Sequence, residues 1–234
     1  MAVQQPAHEP AYAYLHGFMS GPASTKGRAF QVSFAQRGIH LELLDINAGG
    51  SPAGMTISHG LAVLSAWRQK AREEERGRKL RLIGSSLGAY IAALFAEGEP
   101  DAIDRMFLMC PAFDLTTRWQ SSLGKDGLDA WRSNGWRGFS SSVSGADGNT
   151  VRVPWSSAED LMAYSSWPQY RCPAVLLHGL QDTTVPVTTT RTFLRRSPEV
   201  AARTLAVFVE DDHALVKPMT AALAAKLAAE FFGL

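Results

Sequence analysis

A serine at the centre of the pentapeptide Gly84-Ser85-Ser86-Leu87-Gly88 is the residue best placed for chemistry. The segment fits G-x-S-x-G, in which a serine on a sharp turn between a strand and a helix exposes its Oγ. KLRLI before it is typical of a strand and AYIAALFA after it of a helix. Only Ser86 has glycine two positions away on both sides, so we predict Ser86 as a nucleophile. The alternative is a glycine-rich turn without chemistry.

A histidine in the segment VEDDHAL (209–215) is the candidate general base. His213 follows the last predicted strand and precedes the last predicted helix. From there it can accept the serine proton and return it to a leaving group. A surface histidine in a loop is the alternative, but the chain order serine, acid, histidine favours catalysis.

The candidate acid is Asp182, in the segment HGLQDTTVP (178–186) after the fifth predicted strand. Its position between the serine and the histidine fits the chain order serine, acid, histidine of a known kind of catalytic triad, in which the acid accepts Nδ1–H of the histidine. Asp114 is the main rival, because it follows the fourth predicted strand, whose end points at the same site. The two aspartates directly before the histidine are too close to it along the chain.

Two backbone N–H groups are candidates for an oxyanion hole, which acyl transfer requires. One belongs to Leu87, the residue after the nucleophile, and the other to Phe18, in the turn His16-Gly17-Phe18 after the first predicted strand. We interpret His16 as a residue that fixes this turn by a hydrogen bond, with a direct catalytic role as the alternative.

Strands and helices alternate along most of the chain. The predicted strands are 11–17, 39–46, 79–84, 103–110, 172–179 and 203–210, and the predicted helices are 24–38, 56–77, 86–98, 188–197 and 217–232. Strands separated by helices indicate right-handed βαβ units. We therefore predict the α/β class, with a doubly wound, mostly parallel sheet of about six strands.

Residues 114–168, between the fourth and fifth predicted strands, interrupt this alternation and show no clean β pattern. A loop of this length inside a compact domain is typical of a lid or a small helical insertion. We predict that 1–113 and 169–234 form the core and that 114–168 is a lid. The Ser/Gly tract 138–148 could let this lid open and close.

The 114–168 segment holds five of the six tryptophans: Trp119, Trp131, Trp136, Trp155 and Trp167. They can form a small core of their own or an apolar wall for a substrate. On the second interpretation, Trp131, Trp155 and Met19 are candidate substrate-binding residues.

Composition narrows the class of partner. The 234 residues carry a formal net charge of +1, which calls for neither nucleic acid nor a membrane as partner. Cys110 and Cys172 lack metal-ligand spacing and are typical of buried free thiols. We predict no metal or other cofactor. The amino terminus shows no secretory signal, so we expect a cytoplasmic protein with a small-molecule substrate, and the oligomeric state is left open.

Together these motifs resemble the α/β-hydrolase superfamily. YLHGFMSGPASTKGRAF (14–30) and LRLIGSSLGAYIA (81–92), with HGLQDTTVPV and VEDDHAL, are similar to the small bacterial YqiA-like serine esterases. The resemblance implies the α/β-hydrolase fold, a Ser86–Asp182–His213 triad and esterase activity on simple acyl esters. The 114–168 segment is longer than minimal members of that group need. Acyl thioesters are the alternative substrates, an amidase or peptidase is a further rival, and a non-catalytic binding protein is a rival of another class.

Overall fold

Six parallel strands form the main sheet of the computed structural model, which describes residues 10–73, 79–140 and 150–234. The strands in chain order are β1 (Ala11–Leu15), β2 (Leu41–Leu44), β3 (Leu80–Ser85), β4 (Ile103–Met109), β5 (Trp136–Ser140), β6 (Thr150–Pro154), β7 (Ala174–Gly179) and β8 (Thr204–Val209). The main sheet has the order β2-β1-β3-β4-β7-β8, and all its neighbours pair in parallel. The predicted parallel sheet of about six strands is confirmed.

Helices follow most of these strands. They are α1 (Thr25–Ala35), α2 (Ile57–Glu73), α3 (Leu87–Gly98), α4 (Leu115–Asn134), α5 (Trp155–Met162), α6 (Val187–Arg196), α7 (Pro198–Ala201) and α8 (Pro218–Phe232). The Oγ of Ser24 caps α1 by accepting the N–H of Gly27 at 3.2 Å, as helix N-caps commonly do. Within the described ranges, no helix is both long and apolar enough to cross a membrane.

The core lies on both faces of the main sheet. Apolar residues of α2, α3, α6 and α7 cover one face, and those of α1 and α8 cover the other. Along β1, Ala13 and Leu15 contribute to the first cluster, whereas Tyr12 and Tyr14 contribute to the second. This alternation follows from side chains on successive residues pointing to opposite faces of a strand, and it produces a doubly wound sheet.

The 114–168 segment contains an antiparallel hairpin that the sequence pattern did not predict. The hairpin pairs β5 with β6 and is flanked by α4, which is broken at Gly124 (φ 64°, ψ 178°), and by α5. In β5 the large apolar Trp136 is exposed and the charged Arg137 is half-buried, which inverts the alternation expected of a strand. Arg152 lies 4.2 Å from the centre of the Trp136 ring, so a cation–π contact stabilises this inverted pattern. Residues 138–140 of the predicted flexible tract belong to β5, and the rest of it lies outside the described residues.

Candidate active site

Ser86 lies on a strained turn between β3 and α3. Its backbone has φ 55° and ψ −116°, a conformation that costs a residue with a side chain about 1–3 kcal/mol. Hydrogen bonds hold the turn. The Ser86 N–H donates to the Met109 carbonyl at 2.8 Å, and its carbonyl accepts from the N–H groups of Ala89, Tyr90 and Ala112 at 3.1 Å each. The turn is therefore fixed by its surroundings, and the serine is half-buried rather than fully enclosed.

Both glycines of the pentapeptide lie where a side chain would collide with backbone. A Cβ at Gly84 would lie 2.5 Å from the Cα of Ala89, and one at Gly88 would lie 2.4 Å from the carbonyl oxygens of Leu15 and His16. Glycine at these positions lets α3 start directly against β1 and β3. The two glycines of the G-x-S-x-G pattern are thus required because the backbone packs too closely at this turn to leave room for a side chain.

Asp182 and His213 meet at the carboxyl end of the sheet. His213 Nδ1 lies 2.7 Å from Asp182 Oδ2, in hydrogen-bonding contact. The Asp182 side chain is fully buried, while that of His213 is 23% exposed. Asp182 Oδ1 accepts the Val185 N–H at 2.7 Å. The carboxylate is therefore held from one side by the backbone and presents its other oxygen to the imidazole.

The pKa of Asp182 is set by two opposing effects. Burial of the carboxyl favours its neutral form, but hydrogen bonds from His178, His213 and the Val185 N–H outweigh that effect and lower the pKa well below its usual range. Asp182 is consequently ionised at neutral pH. An ionised acid in this position can hold the imidazole in one orientation and stabilise its protonated form.

His178 is a second, fully buried histidine beside the same carboxylate. Its Nε2 lies 2.7 Å from the Val185 carbonyl oxygen and 3.3 Å from Asp182 Oδ2, and its Nδ1 lies 2.8 Å from Thr190 Oγ1. Both neighbours of Nε2 are acceptors, so we assign the proton to Nε2. His178 therefore holds the turn after β7 against the Asp182 carboxylate, and its position four residues before Asp182 was the only sequence signal for this contact.

Asp114 lies apart from this pair. Its Oδ1 accepts a hydrogen bond from the Thr117 hydroxyl at 2.7 Å, within the first turn of α4. Among the described residues, the structure records a carboxylate contact with His213 only for Asp182. The geometry thus favours Asp182 over Asp114 as the candidate acid.

The turn after β1 passes beside the serine. A Cβ on Gly17 would lie 3.2 Å from the Cβ of Ser86, which brings the next residue, Phe18, to the same site. Within the described ranges, the backbone N–H groups of Phe18 and Leu87 donate to no protein acceptor. His16 is fully buried, contacts the Gly17 carbonyl through Nδ1 at 3.0 Å and accepts the Ile46 N–H at Nε2. It fixes the turn, as expected.

An open cleft of about 660 Å³ lies over these residues. Its wall includes Gly17, Phe18, Lys26, Ser86 and His213. Asp182 lies behind His213, away from the cleft. A ligand in this cleft would therefore meet the serine hydroxyl, the imidazole and the turn after β1, but not the acid.

The three candidate substrate-binding residues lie in an aromatic cluster that the 114–168 segment forms with Phe18 and Met19. Met19 and Trp131 are buried there, and Trp155 packs edge-on against Trp131 at 5.6 Å between ring centres. The ring of Phe18 joins the cluster by packing against Phe139 at 5.4 Å. These contacts are those of a small core. A direct substrate contact by Met19, Trp131 or Trp155 stays a prediction.

Trp131→Ala should therefore affect stability first. Trp131 is 1% exposed and its Nε1 donates to the Val153 carbonyl at 3.0 Å, so truncation leaves both a cavity and an unpaired acceptor. We expect the free energy of unfolding to fall by about 3–5 kcal/mol. Thermal melts should show this, with Trp136→Ala, on the exposed side of the hairpin, as the milder control. A flattened dependence of kcat/KM on acyl length at an unchanged melting temperature would instead identify Trp131 as part of a substrate wall.

One group of side chains has metal-ligating types. The ligand atoms of Cys110, His178 and Asp182 all lie within 4.8 Å of one another. However, both nitrogens of His178 and both oxygens of Asp182 already have protein hydrogen-bond partners. Burial also raises the pKa of the Cys110 thiol to about 12, whereas a metal ligand must be the thiolate. We interpret the group as the buried surroundings of Asp182.

The main sheet is parallel and is covered by helices on both faces, and a serine lies on the strained turn after β3. Serine, aspartate and histidine follow one another in that order along the chain. These features define the α/β-hydrolase fold. Comparison with known proteins then identifies the family. The chain belongs to the uncharacterised protein family UPF0227, whose model matches residues 11–219. The resemblance to the α/β-hydrolase superfamily and its YqiA-like members is thereby confirmed.

Solved structures share this fold at low sequence identity. A candidate hydrolase from Agrobacterium vitis S4 is 22% identical, with a TM-score of 0.82 over 96% of this chain and 88% of that protein. Est1E from Butyrivibrio proteoclasticus, solved with ferulic acid bound, is 18% identical, with a TM-score of 0.77 over 99% of this chain and 91% of that protein.

A curated relative matches by sequence. Monoacylglycerol lipase abhd6-B from Xenopus laevis is 22% identical over 193 residues, which cover 78% of this chain. The match spans 51% of the lipase, so this chain covers about half the length of that relative.

Proposed function

We propose that this protein is a serine hydrolase that cleaves carboxylic esters of small acyl substrates through an acyl-enzyme. The observation that carries the proposal is the 2.7 Å contact between His213 Nδ1 and the buried Asp182 carboxylate, beside a cleft that His213 shares with Ser86. A surface histidine would not need a buried, ionised partner. The contact instead orients the ring so that Nε2 is free to exchange a proton with a bound hydroxyl.

The first half-reaction forms the acyl-enzyme. Ser86 Oγ bonds to the acyl carbon while its proton moves to His213 Nε2, and Asp182 stabilises the resulting imidazolium. The carbonyl oxygen of the substrate becomes negatively charged and would accept hydrogen bonds from the backbone N–H groups of Phe18 and Leu87. The bond between the acyl carbon and the leaving oxygen then breaks, and the proton on Nε2 passes to the departing alcohol.

The second half-reaction releases the acid. A water molecule gives its proton to His213 Nε2 and bonds to the acyl carbon. The bond to Ser86 Oγ breaks, and the proton returns to that oxygen. A thioester differs only in its leaving sulfur, so thioesters belong in the same substrate test. The name of the curated relative, a monoacylglycerol lipase, supports an ester substrate.

The 114–168 segment is proposed as a lid over this cleft. Ligands of open α/β sheets bind at the carboxyl ends of the strands, and α4 leaves the sheet from that edge, directly after β4. Its aromatic cluster contacts the turn after β1 through Phe18. The lid would thereby border the site where the acyl group is bound.

The proposal is tested by active-site labelling. A fluorophosphonate probe should label the wild-type chain stoichiometrically and leave Ser86→Ala unlabelled, because the probe reacts only with an activated serine. A panel of p-nitrophenyl esters and acyl-CoA thioesters of increasing chain length then separates the two substrate classes. A wild-type chain that neither reacts with the probe nor turns over any panel member would identify a non-catalytic binding protein.

A further inference from the structure

Lys26 is a cation in the wall of the active-site cleft that the proposed reaction does not use. It is the second residue of α1 and lines the cleft together with Ser86 and His213. Its Nζ lies 3.4 Å from the His213 carbonyl oxygen, at the outer limit of a hydrogen bond. An ammonium group has three donors, so most of the hydrogen-bonding capacity of Lys26 is unused by this contact.

Lys26 forms no ion pair within the part of the chain that the structure describes. Burial lowers its pKa, and the carboxylates of Asp182, Asp211 and Asp212 oppose that shift from a distance. Each of these carboxylates already accepts other hydrogen bonds, from His213 and from the backbone N–H groups of Val185, Asp212, Ala214 and Lys217. Lys26 is half-buried, and a partly desolvated cation without a direct counterion is unfavourable, which points to a ligand as its partner.

A second cation without a described counterion lies at the start of the 114–168 segment. Arg118 lies in the first turn of α4, and its Nε and Nη1 are buried without a hydrogen-bond partner among the described residues. Burial lowers its pKa, and the carboxylates of Asp182 and Asp114 oppose the shift. The first turn of α1 also contains no acidic residue. Among the described residues, the cleft wall thus contains the Lys26 ammonium group and no carboxylate, which favours a negatively charged ligand.

We propose that the substrates of this enzyme carry a carboxylate in addition to the ester that is cleaved, and that Lys26 is the specificity-determining residue that binds it. This inference rests on the proposed function. A carboxylate fits better than a phosphate because the cleft wall offers one ammonium group, which balances a single negative charge. Phosphate sites more commonly combine several N–H donors or a guanidinium fork.

The test uses matched pairs of esters that differ only in charge. One pair places the carboxylate on the alcohol side, as 4-acetoxybenzoate and its methyl ester. The other places it on the acyl side, as mono-p-nitrophenyl adipate and its methyl ester. In at least one pair the wild type should prefer the anion, and Lys26→Met should reduce that preference about ten- to hundredfold, mainly through KM. Added salt should raise KM for the anion in the wild type but not in Lys26→Met.

Two variants serve as controls. Lys26→Arg keeps the positive charge and should retain much of the preference for the anion. Lys79→Met removes a lysine from the opposite end of β3, where Nζ contacts the Asp101 carbonyl, and should leave both pairs unchanged. If Lys26→Met slows both members of each pair equally, Lys26 only holds the His213 loop and the proposal is wrong. A wild type without preference for either anion overturns it as well.

Binding measured without turnover separates this inference from the proposed function. Calorimetric titration of Ser86→Ala, with and without Lys26→Met, gives the Kd of 4-acetoxybenzoate and of its methyl ester. Tighter binding of the anion that disappears with Lys26→Met supports the carboxylate site, even if no ester is hydrolysed. The same titration is made with mono-p-nitrophenyl adipate and its methyl ester. Equal Kd values within both pairs in Ser86→Ala refute the site, even if hydrolysis depends on Ser86.

Discussion

Ser86→Ala should reduce kcat for ester hydrolysis by about 10⁶-fold, the size of effect that removal of the nucleophile has in another serine hydrolase. The physical reason is that no other hydroxyl occupies the strained turn between β3 and α3. The variant keeps Cβ, and the bonds that hold the turn involve only backbone atoms. We therefore expect a melting temperature close to that of the wild type, so that lost activity reports lost chemistry.

Ser85→Ala is the matched control for this experiment. Ser85 is the last residue of β3 and is 3% exposed, so its side chain is turned away from solvent. The kcat of Ser85→Ala should stay within about tenfold of the wild-type value, because the substitution removes at most one buried hydrogen bond. Steady-state kinetics on p-nitrophenyl butyrate provide the measurement. Comparable losses in both variants, or full activity in Ser86→Ala, would rule out Ser86 as the nucleophile.

Asp182→Asn should reduce kcat by about 10⁴-fold, as the same change does in a well-studied triad. The asparagine amide can donate to His213 Nδ1, which would leave the proton on Nε2 and remove the base. The buried charge that stabilises the imidazolium is also lost. The substitution is nearly isosteric, and circular dichroism with a thermal melt should establish that the variant is folded.

Asp114→Asn is the control that separates the two candidate acids. Asp114 contacts the Thr117 hydroxyl and has no described contact with His213, so its kcat should change by no more than a few-fold. The two variants are compared at saturating substrate across pH 6–9. A larger loss in Asp114→Asn than in Asp182→Asn would transfer the role of the acid to Asp114.

Much of the fold could be predicted because its cause is local. A run such as AVLLH is long enough for one strand and too uniformly apolar for an exposed element, and β7 is indeed buried at every position. Ser86 and His213 line one cleft, and Asp182 contacts His213, for a related reason. Each follows a parallel strand, and the carboxyl ends of parallel strands lie at one edge of the sheet.

Other features depend on contacts that no local pattern encodes. The β5–β6 hairpin was missed because Trp136 and Arg137 have the reverse of the usual exposure, stabilised by a cross-strand contact with Arg152. The contact of His178 with Asp182 depends on how the turn after β7 folds back on itself. The position of Lys26 depends on α1 meeting the His213 loop, 187 residues away in sequence.

The aromatic contacts of Phe18 tie two parts of the molecule together. The backbone of Phe18 lies beside the serine turn, while its ring packs against Trp119 and Phe139 of the 114–168 segment. Segments with few contacts to the main sheet open at lower free-energy cost than the sheet itself. A local opening of the hairpin would free the Phe18 ring, and the backbone N–H of Phe18 would then lose its alignment with the serine turn. We therefore expect heat inactivation to precede global unfolding, so that hydrolysis is lost at a lower temperature than the structure of the main sheet.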